Sequence, residues 1–307
     1  MTCMPGRTHT GVLPEMGVGE VELAERLAGH VEVLASEIGE RCIDGAYSEL
    51  ERAAVYIETE FEEMGYELEG QEFEVEGVKV RNIEVEITGS GKMDEVVVVG
   101  AHYDSAQGTP GADDNASGVA VLLELARMLK GMKAERTVRF VAFVNEEPPW
   151  FQTGDMGSVR YAKMCKERGD DIVAMLSLEM LGYYSDEPGS QHYPSPFASL
   201  YPDTGNFVAF VGNTGSGSLV RRCVKVFREH VEFPSEGAAA PASIPGVGFS
   251  DHWSFWQEGW KALMVTDTAF NRYEHYHEAT DTAEKVDAEK MARVTEGLRW
   301  VVEDLSR

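Results

Sequence analysis

The chain has little cysteine, few basic residues and no long apolar run. Its 307 residues hold four cysteines, Cys3, Cys42, Cys165 and Cys223, and none forms a C-x-x-C pair. A chain of this length buries enough apolar surface to fold without disulfide staples, so the four are read as free thiols. Lys and Arg number 27 against 53 Asp and Glu, a formal charge of −26. That shortage of positive charge argues against a nucleic-acid partner, which needs a basic footprint. It favours cationic or amine-bearing partners and keeps the surface soluble. No apolar run approaches the roughly 20 residues that cross a bilayer. The first residues, MTCMPGRTHTGVLPEM, lack the apolar core of a secretory signal. The expectation is a soluble, cytoplasmic protein without membrane contact. Repeats and low-complexity linkers are also missing, so one domain over residues 19–307 is expected, after a flexible tail at 1–18.

What is present is an alternation of periods. Residues 20–38 and 47–65 place apolar side chains at helical spacing. Residues 73–75 and 78–80 read as a hairpin around Gly77. Ile83, Val85 and Ile87 continue its alternation after a one-residue slip that suggests a bulge. Short buried strands at 96–101, 138–144, 172–178, 207–211 and 262–266 then alternate with helices at 117–132, 159–168, 219–230 and 283–305. This predicts an α/β fold, a three-layer α/β/α sandwich around a mixed, mainly parallel sheet. Two proline-bearing stretches, 185–206 and 234–250, break the pattern and are read as irregular pocket walls.

The chemistry gathers around residues 96–118, VVVVGAHYDSAQGTPGADDNASG. His102 and Asp104 lie two apart, on one face of an extended backbone, as a metal ligand and its orienting carboxylate would. An acidic knot, Asp113-Asp114-Asn115, precedes a helix, where one of its acids could serve as a cap. Glu146-Glu147 ends a strand and is stopped by Pro148-Pro149, at the end of a parallel sheet where ligands bind. Paired glutamates can divide roles, one holding a cation and the other moving protons. Glu179 interrupts an apolar strand, a costly place for an unpaired carboxylate. Nearer the end stand S-D-H at 250–252 and a segment with His275, His277 and Asp281. Either histidine could ligate, Asp281 could cap the last helix, and Asp251 could orient His252. Trp150, Phe151, Trp253 and Phe255 are candidates for an apolar substrate pocket.

As an ordered set, these motifs resemble the co-catalytic zinc aminopeptidases of metallopeptidase clan MH. That group includes the bacterial leucyl-type aminopeptidases and the catalytic domain of glutamate carboxypeptidase II. The resemblance spans roughly residues 96–281 and implies a phosphorylase/hydrolase-like sandwich of the zinc-peptidase type. It implies two zinc ions per chain, held by His102, Asp114, Glu147, Glu179 and His277, with Asp114 bridging. Glu146 would be the general base, Asp104 the partner of His102, and the Asp114-Asn115 peptide bond cis. Three ligand carboxylates and Glu146 would balance the four charges of two zinc ions. The implied activity is removal of amino-terminal residues from a peptide or aminoacyl-amide substrate. The resemblance leaves the oligomeric state open. Two departures stand out: Glu179 occupies a position where many members have aspartate, and Pro148-Pro149-Trp150 replaces a smaller turn. Two rivals share the fold: a single-zinc acyltransferase like the glutaminyl cyclases, and a binding protein without catalysis.

Overall fold

The computed structural model describes residues 3–193 and 197–307. Its central valines divide by parity. On β3 (Lys92–His102), Val97, Val99 and Ala101 enter one core while Val96 and Val98 enter another on the opposite face. A strand covered on both faces must be apolar throughout, which is why this run shows no polar alternation.

Seven further strands complete one sheet: β1 (Glu69–Val75), β2 (Val78–Ile87), β4 (Arg136–Phe143), β5 (Asp171–Glu179), β6 (Val208–Asn213), β7 (Ser235–Ala240) and β8 (Ala262–Thr266). Their order is β1-β2-β4-β3-β5-β8-β6-β7. The β4-β3-β5-β8 block is parallel, as is β6-β7, while β1-β2, β2-β4 and β8-β6 run antiparallel. The larger core joins the sheet to α1 (Val18–Val31), α2 (Ile43–Glu63), α3 (Gly118–Leu129), α5 (Gly217–His230) and α7 (Ala288–Leu305). The smaller lies under α4 (Gly157–Arg168) and α6 (His252–Gln257). This is the expected α/β/α sandwich with a mixed sheet. None of its described helices is long and apolar enough to cross a membrane, and all four cysteines are unpaired.

Several local expectations need correction. The β1-β2 hairpin turns on Glu76 and Gly77, both at positive φ, the two-residue turn whose twist suits paired strands. Its register runs unbroken from Val75↔Val78 to Glu69↔Glu84, so no bulge lies there. The slip in the apolar pattern reflects buried polar residues instead. Asn82 donates to Gly157 O and accepts from Val144 N–H, and Glu84 accepts from Tyr161 Oη at 2.6 Å. The 234–250 stretch is not wholly irregular, because SEGAAA forms edge strand β7. Small residues without β-branches hid it. Asp281 does not cap the last helix. Asp287 does, accepting from Lys290 N–H at 3.0 Å.

Residues 3–17 form no regular element. Thr8 Oγ1 accepts from Ser235 N–H, and the carbonyls of Cys3, Pro5 and Pro14 accept from Arg221, Arg228 and Arg293. Residues 1–2 of the expected tail, and Pro194 and Pro196 of the 185–206 stretch, lie outside the described residues.

Candidate metal centre

Parallel β3, β4 and β5 deliver their carboxyl ends to one edge of the sheet. His102 is the last residue of β3, Glu179 the last of β5, and Glu146-Glu147 follow β4. The knot at 113–115 comes from the turn into α3, and His277 arrives on the loop after β8.

The knot does not converge as a whole. Asp113 turns away: its Oδ1 accepts from Gly182 N–H at 2.8 Å and from Ser117 Oγ at 3.0 Å. Burial, with Asp267 and Asp281 nearby, raises its pKa well above the carboxylate range. Asn115 bridges to the end of β5, donating to Leu178 O and accepting from Met180 N–H, each at 3.0 Å. Asp114 alone of the three enters the site, and the Asp114-Asn115 peptide bond is cis. Gly111 has φ +60°, and a Cβ there would stand 2.3 Å from Asp114 O, so the approach to the knot requires glycine.

Two histidines face Asp114 from opposite sides. His102 Nε2 lies 3.4 Å from Asp114 Oδ1 and 3.5 Å from Glu179 Oε2. His277 Nε2 lies 3.2 Å from Asp114 Oδ2 and 3.2 Å from Glu147 Oε2. His102 Nε2, His277 Nε2, Asp114 Oδ1 and Glu147 Oε1 are buried without a hydrogen-bond partner among the described residues. Ligand atoms held tetrahedrally at zinc distances stand about 3.4 Å apart. In both groups, His102 with Asp114 and Glu179 and His277 with Asp114 and Glu147, the histidine-to-carboxylate distances match that spacing. His102, Asp114 and Glu147 also fall within 4.8 Å of one another, but the contacts divide His102 and His277 between the two sides of Asp114. These residues therefore fit a metal centre.

The electrostatics agree. Burial acts against charge on both histidines, yet facing carboxylates outweigh it. His102 is raised well above its ordinary value, chiefly by Glu179 and Glu146, and His277 to about 10, chiefly by Asp114 and Glu147. Desolvation lifts Glu147 to about 7, with Asp114 adding to it. It also lifts Glu146 well above its ordinary value, helped by Glu179 and Glu147. The glutamates of this buried cluster repel one another and favour their protonated forms, whereas Asp114, against the effect of burial, is held below the usual carboxylate range by His102 and His277.

The supporting residues were only partly legible in the sequence. Asp104 does face His102, whose Nδ1 lies 3.2 Å from its carbonyl oxygen and 3.5 Å from Oδ1. Its carboxylate does more: Oδ1 and Oδ2 accept from the N–H groups of Glu146 and Glu147, both at 3.1 Å. Asp281 repeats the device, accepting from the N–H groups of Asp113 at 2.9 Å and Asp114 at 3.1 Å. Arg41, unnoticed in the sequence, is fully buried. Its guanidinium donates to the carbonyls of Leu34, Gly39, Tyr103, Pro110 and Gly111, tying the loops that carry Asp104 and Asp114. Burial lowers its pKa to about 10 while Asp104 and Asp281 oppose the shift, so it stays charged at neutral pH. Ser250 Oγ donates to Glu179 Oε2 at 2.6 Å. His252, two residues on, binds Val247 O instead, and burial lowers it to about 4. Tyr276 was also missed. Its ring stacks on His277 at 3.8 Å, and Asp114, Glu147 and Glu146 raise its pKa beyond the effect of burial. Its position next to His277 was the available signal.

A cavity of about 120 Å³ opens beside Glu179 and Tyr276. The four aromatic residues proposed for a substrate pocket do not line it. Phe255 lies in the smaller core, against Phe143, Tyr161 and Trp260. Trp253 sits on α6 against Gly248. Trp150 flanks a small recess beside Glu147, and Phe151 reaches the cavity through its edge contact with Phe249. The cavity is walled instead by the 185–206 and 234–250 stretches and by β6, β7 and β8.

The chain is 39% identical over 284 residues to the uncharacterised protein YfbL of Escherichia coli (strain K12), across 89% of this chain and 86% of that one. It is 29% identical over 237 residues to a probable leucine aminopeptidase of Trichophyton verrucosum (strain HKI 0517), across 70% of this chain and 57% of that one. Among solved structures, the zinc aminopeptidase BSAP of Bacillus subtilis superimposes with a TM-score of 0.74 at 16% identity, covering 92% of this chain and 95% of that one. A glutaminyl cyclase of Fimbriiglobus ruber gives 0.66 at 19%, covering 98% and 99%. Residues 82–302 match the model of Peptidase family M28, and the chain belongs to that family.

Proposed function

We propose that the chain is a co-catalytic dizinc aminopeptidase, releasing amino-terminal residues from peptides. One observation carries this reading: the two oxygens of Asp114 face two different histidines, each with its own further carboxylate. A single-ion site would need one such group. The name of the fungal relative supports the aminopeptidase reading, while the Bacillus subtilis aminopeptidase and the cyclase, at 16% and 19% identity, both share the fold alone.

His102 and Glu179 would hold one ion, Glu147 and His277 the other, with Asp114 shared. When bound, the pair supplies a polarised carbonyl and a water of lowered pKa. The remaining work belongs to side chains. Glu146 Oε2 lies 3.9 Å from His102 Nε2, beside the ligand set but outside both groups. Its carboxylate takes a proton from the attacking water and returns it to the amide nitrogen as the C–N bond breaks. Burial raises its basicity for that task. Tyr276 makes no side-chain hydrogen bond among the described residues and lines the cavity next to Glu179. Its phenol donates to the carbonyl oxygen as negative charge develops there. Asp104 and Asp281 fix the backbones that carry Glu146, Glu147 and Asp114. The surrounding carboxylates favour the cationic amino terminus of a substrate.

The test is release of free amino acids from di- and tripeptides by the purified protein, before and after chelation and zinc replacement. The reading requires stepwise loss from the amino end, abolished by chelation and restored by zinc. Cyclisation of amino-terminal glutamine without hydrolysis would transfer the assignment to the single-zinc acyltransferase.

A further inference from the structure

The cavity beside Glu179 has a charged far end. Its floor includes a row of register partners crossing four strands: Glu179↔Thr266, Thr266↔Ala209 and Ala209↔Glu236. A second row, Met264↔Val211↔Ala238, lies alongside and is apolar. All of these residues line the cavity. Three strand spacings separate the backbones of Glu179 and Glu236 by about 14 Å. The cavity is thus a corridor from the metal centre to a carboxylate on edge strand β7.

Glu236 is half-buried and makes no side-chain hydrogen bond among the described residues. It forms an ion pair with Arg228 Nη2 at 3.7 Å, a separation longer than a hydrogen bond. Arg228 is committed elsewhere, to Ser235 Oγ, Ser235 O and Pro5 O. Burial raises the Glu236 carboxyl above its ordinary value despite Arg228. Two tyrosines flank this end: the rings of Tyr193 and Tyr201 stack at 5.7 Å and 27°. Their hydroxyls donate to Pro202 O and Gly237 O, which leaves ring surface for the cavity. Both feel the charge of Glu236. Arg272, behind the wall, binds Gln191 and the carbonyls of Tyr183 and Phe207.

A carboxylate short of donors, set among aromatic faces at the end of an apolar corridor, is a receptor for a cation on a long unbranched stem. We propose that this end of the cavity binds a lysine or arginine side chain, with Glu236 as its counter-charge. The enzyme then removes amino-terminal basic residues in preference to leucine. The proposal rests on the aminopeptidase reading and names its substrate class. A leucine side chain stops short and leaves Glu236 with only its ion pair to Arg228 at 3.7 Å, whereas a basic one adds a charge-assisted hydrogen bond.

Fluorogenic amides of lysine, arginine, leucine and norleucine provide the test, because norleucine offers an unbranched stem without the charge. The parent enzyme is expected to show kcat/KM for lysine and arginine about tenfold or more above norleucine. Glu236→Gln is expected to remove that advantage while leaving leucine and norleucine within about twofold, which also reports an intact fold. A parent that favours leucine or norleucine, or a lysine-to-norleucine ratio unchanged in Glu236→Gln, overturns the proposal and leaves the aminopeptidase reading standing. A parent that hydrolyses none of the four overturns both.

Discussion

Asp104 and Asp281 each span two successive backbone N–H groups with two carboxylate oxygens. The account therefore separates residues that react from residues that hold them. Glu146→Gln removes the base and no proposed ligand. It should retain bound zinc, with kcat lowered about 10²–10⁴-fold; metal analysis beside steady-state rates checks both halves. Tyr276→Phe should lower kcat about 10²-fold with little change in KM, since the hydrogen bond strengthens only as charge develops. Equal losses in both parameters would remove Tyr276 from that role. Asp281→Asn presents one acceptor where two N–H groups need it. It should cost about 1–3 kcal/mol in denaturant unfolding and weaken metal binding. The proposed ligands are named through the family resemblance: residue chemistry alone leaves His275 and His277 open, and Asp114 and His277 sit on loops rather than at strand ends. The roles of Asp281 and Arg41 could not be read, because the backbone groups they hold in the site's loops lie 167–168 residues away for Asp281 and 62–70 residues away for Arg41.

At the scale of elements, period decided what could be foreseen. The buried strands, α3, α5 and the Gly77 hairpin followed from apolar spacing and turn chemistry. Strand β7 escaped because SEGAAA has no β-branched or aromatic residue, although it forms one wall of the cavity. The four aromatic residues expected at a substrate pocket do not line this cavity, for a related reason. Phe255 lies near the metal motifs in sequence, but α6 directs it into the smaller core. Apart from Phe207, at the start of a foreseen strand, the rings lining the cavity come from 185–206 and from residues 249, 270 and 276, which carry no periodic signal. Arg41 joins α2 to both metal-bearing loops through carbonyls alone. Arg41→Met should destabilise the protein by about 3 kcal/mol or more, since it strips donors from buried acceptors. Unfolding in denaturant measures the loss.

For the whole molecule, the excess of acid and the buried site act together through pH. In the metal-free chain, Glu147 is raised to about 7 and His277 to about 10. Both folded-state values exceed the unfolded ones, so the folded chain binds these protons more tightly. Their contribution to stability is complete at low pH. It is lost as pH rises, through 4.5 to about 7 for Glu147 and through 6.5 to about 10 for His277. The Tm of metal-stripped protein should fall between about pH 5 and pH 9, while the zinc-loaded form, whose ligands are already deprotonated, should change less over that range. A metal-stripped Tm that rises over the same interval would place the dominant protons elsewhere.

The central claim is that Asp114 is shared between two ions. Zinc titration into stripped protein, with bound metal and peptide hydrolysis followed together, tests it most directly. The account predicts saturation at two ions per chain, with one lost in His277→Ala. Saturation at a single ion in the parent, with full hydrolytic activity, would contradict it.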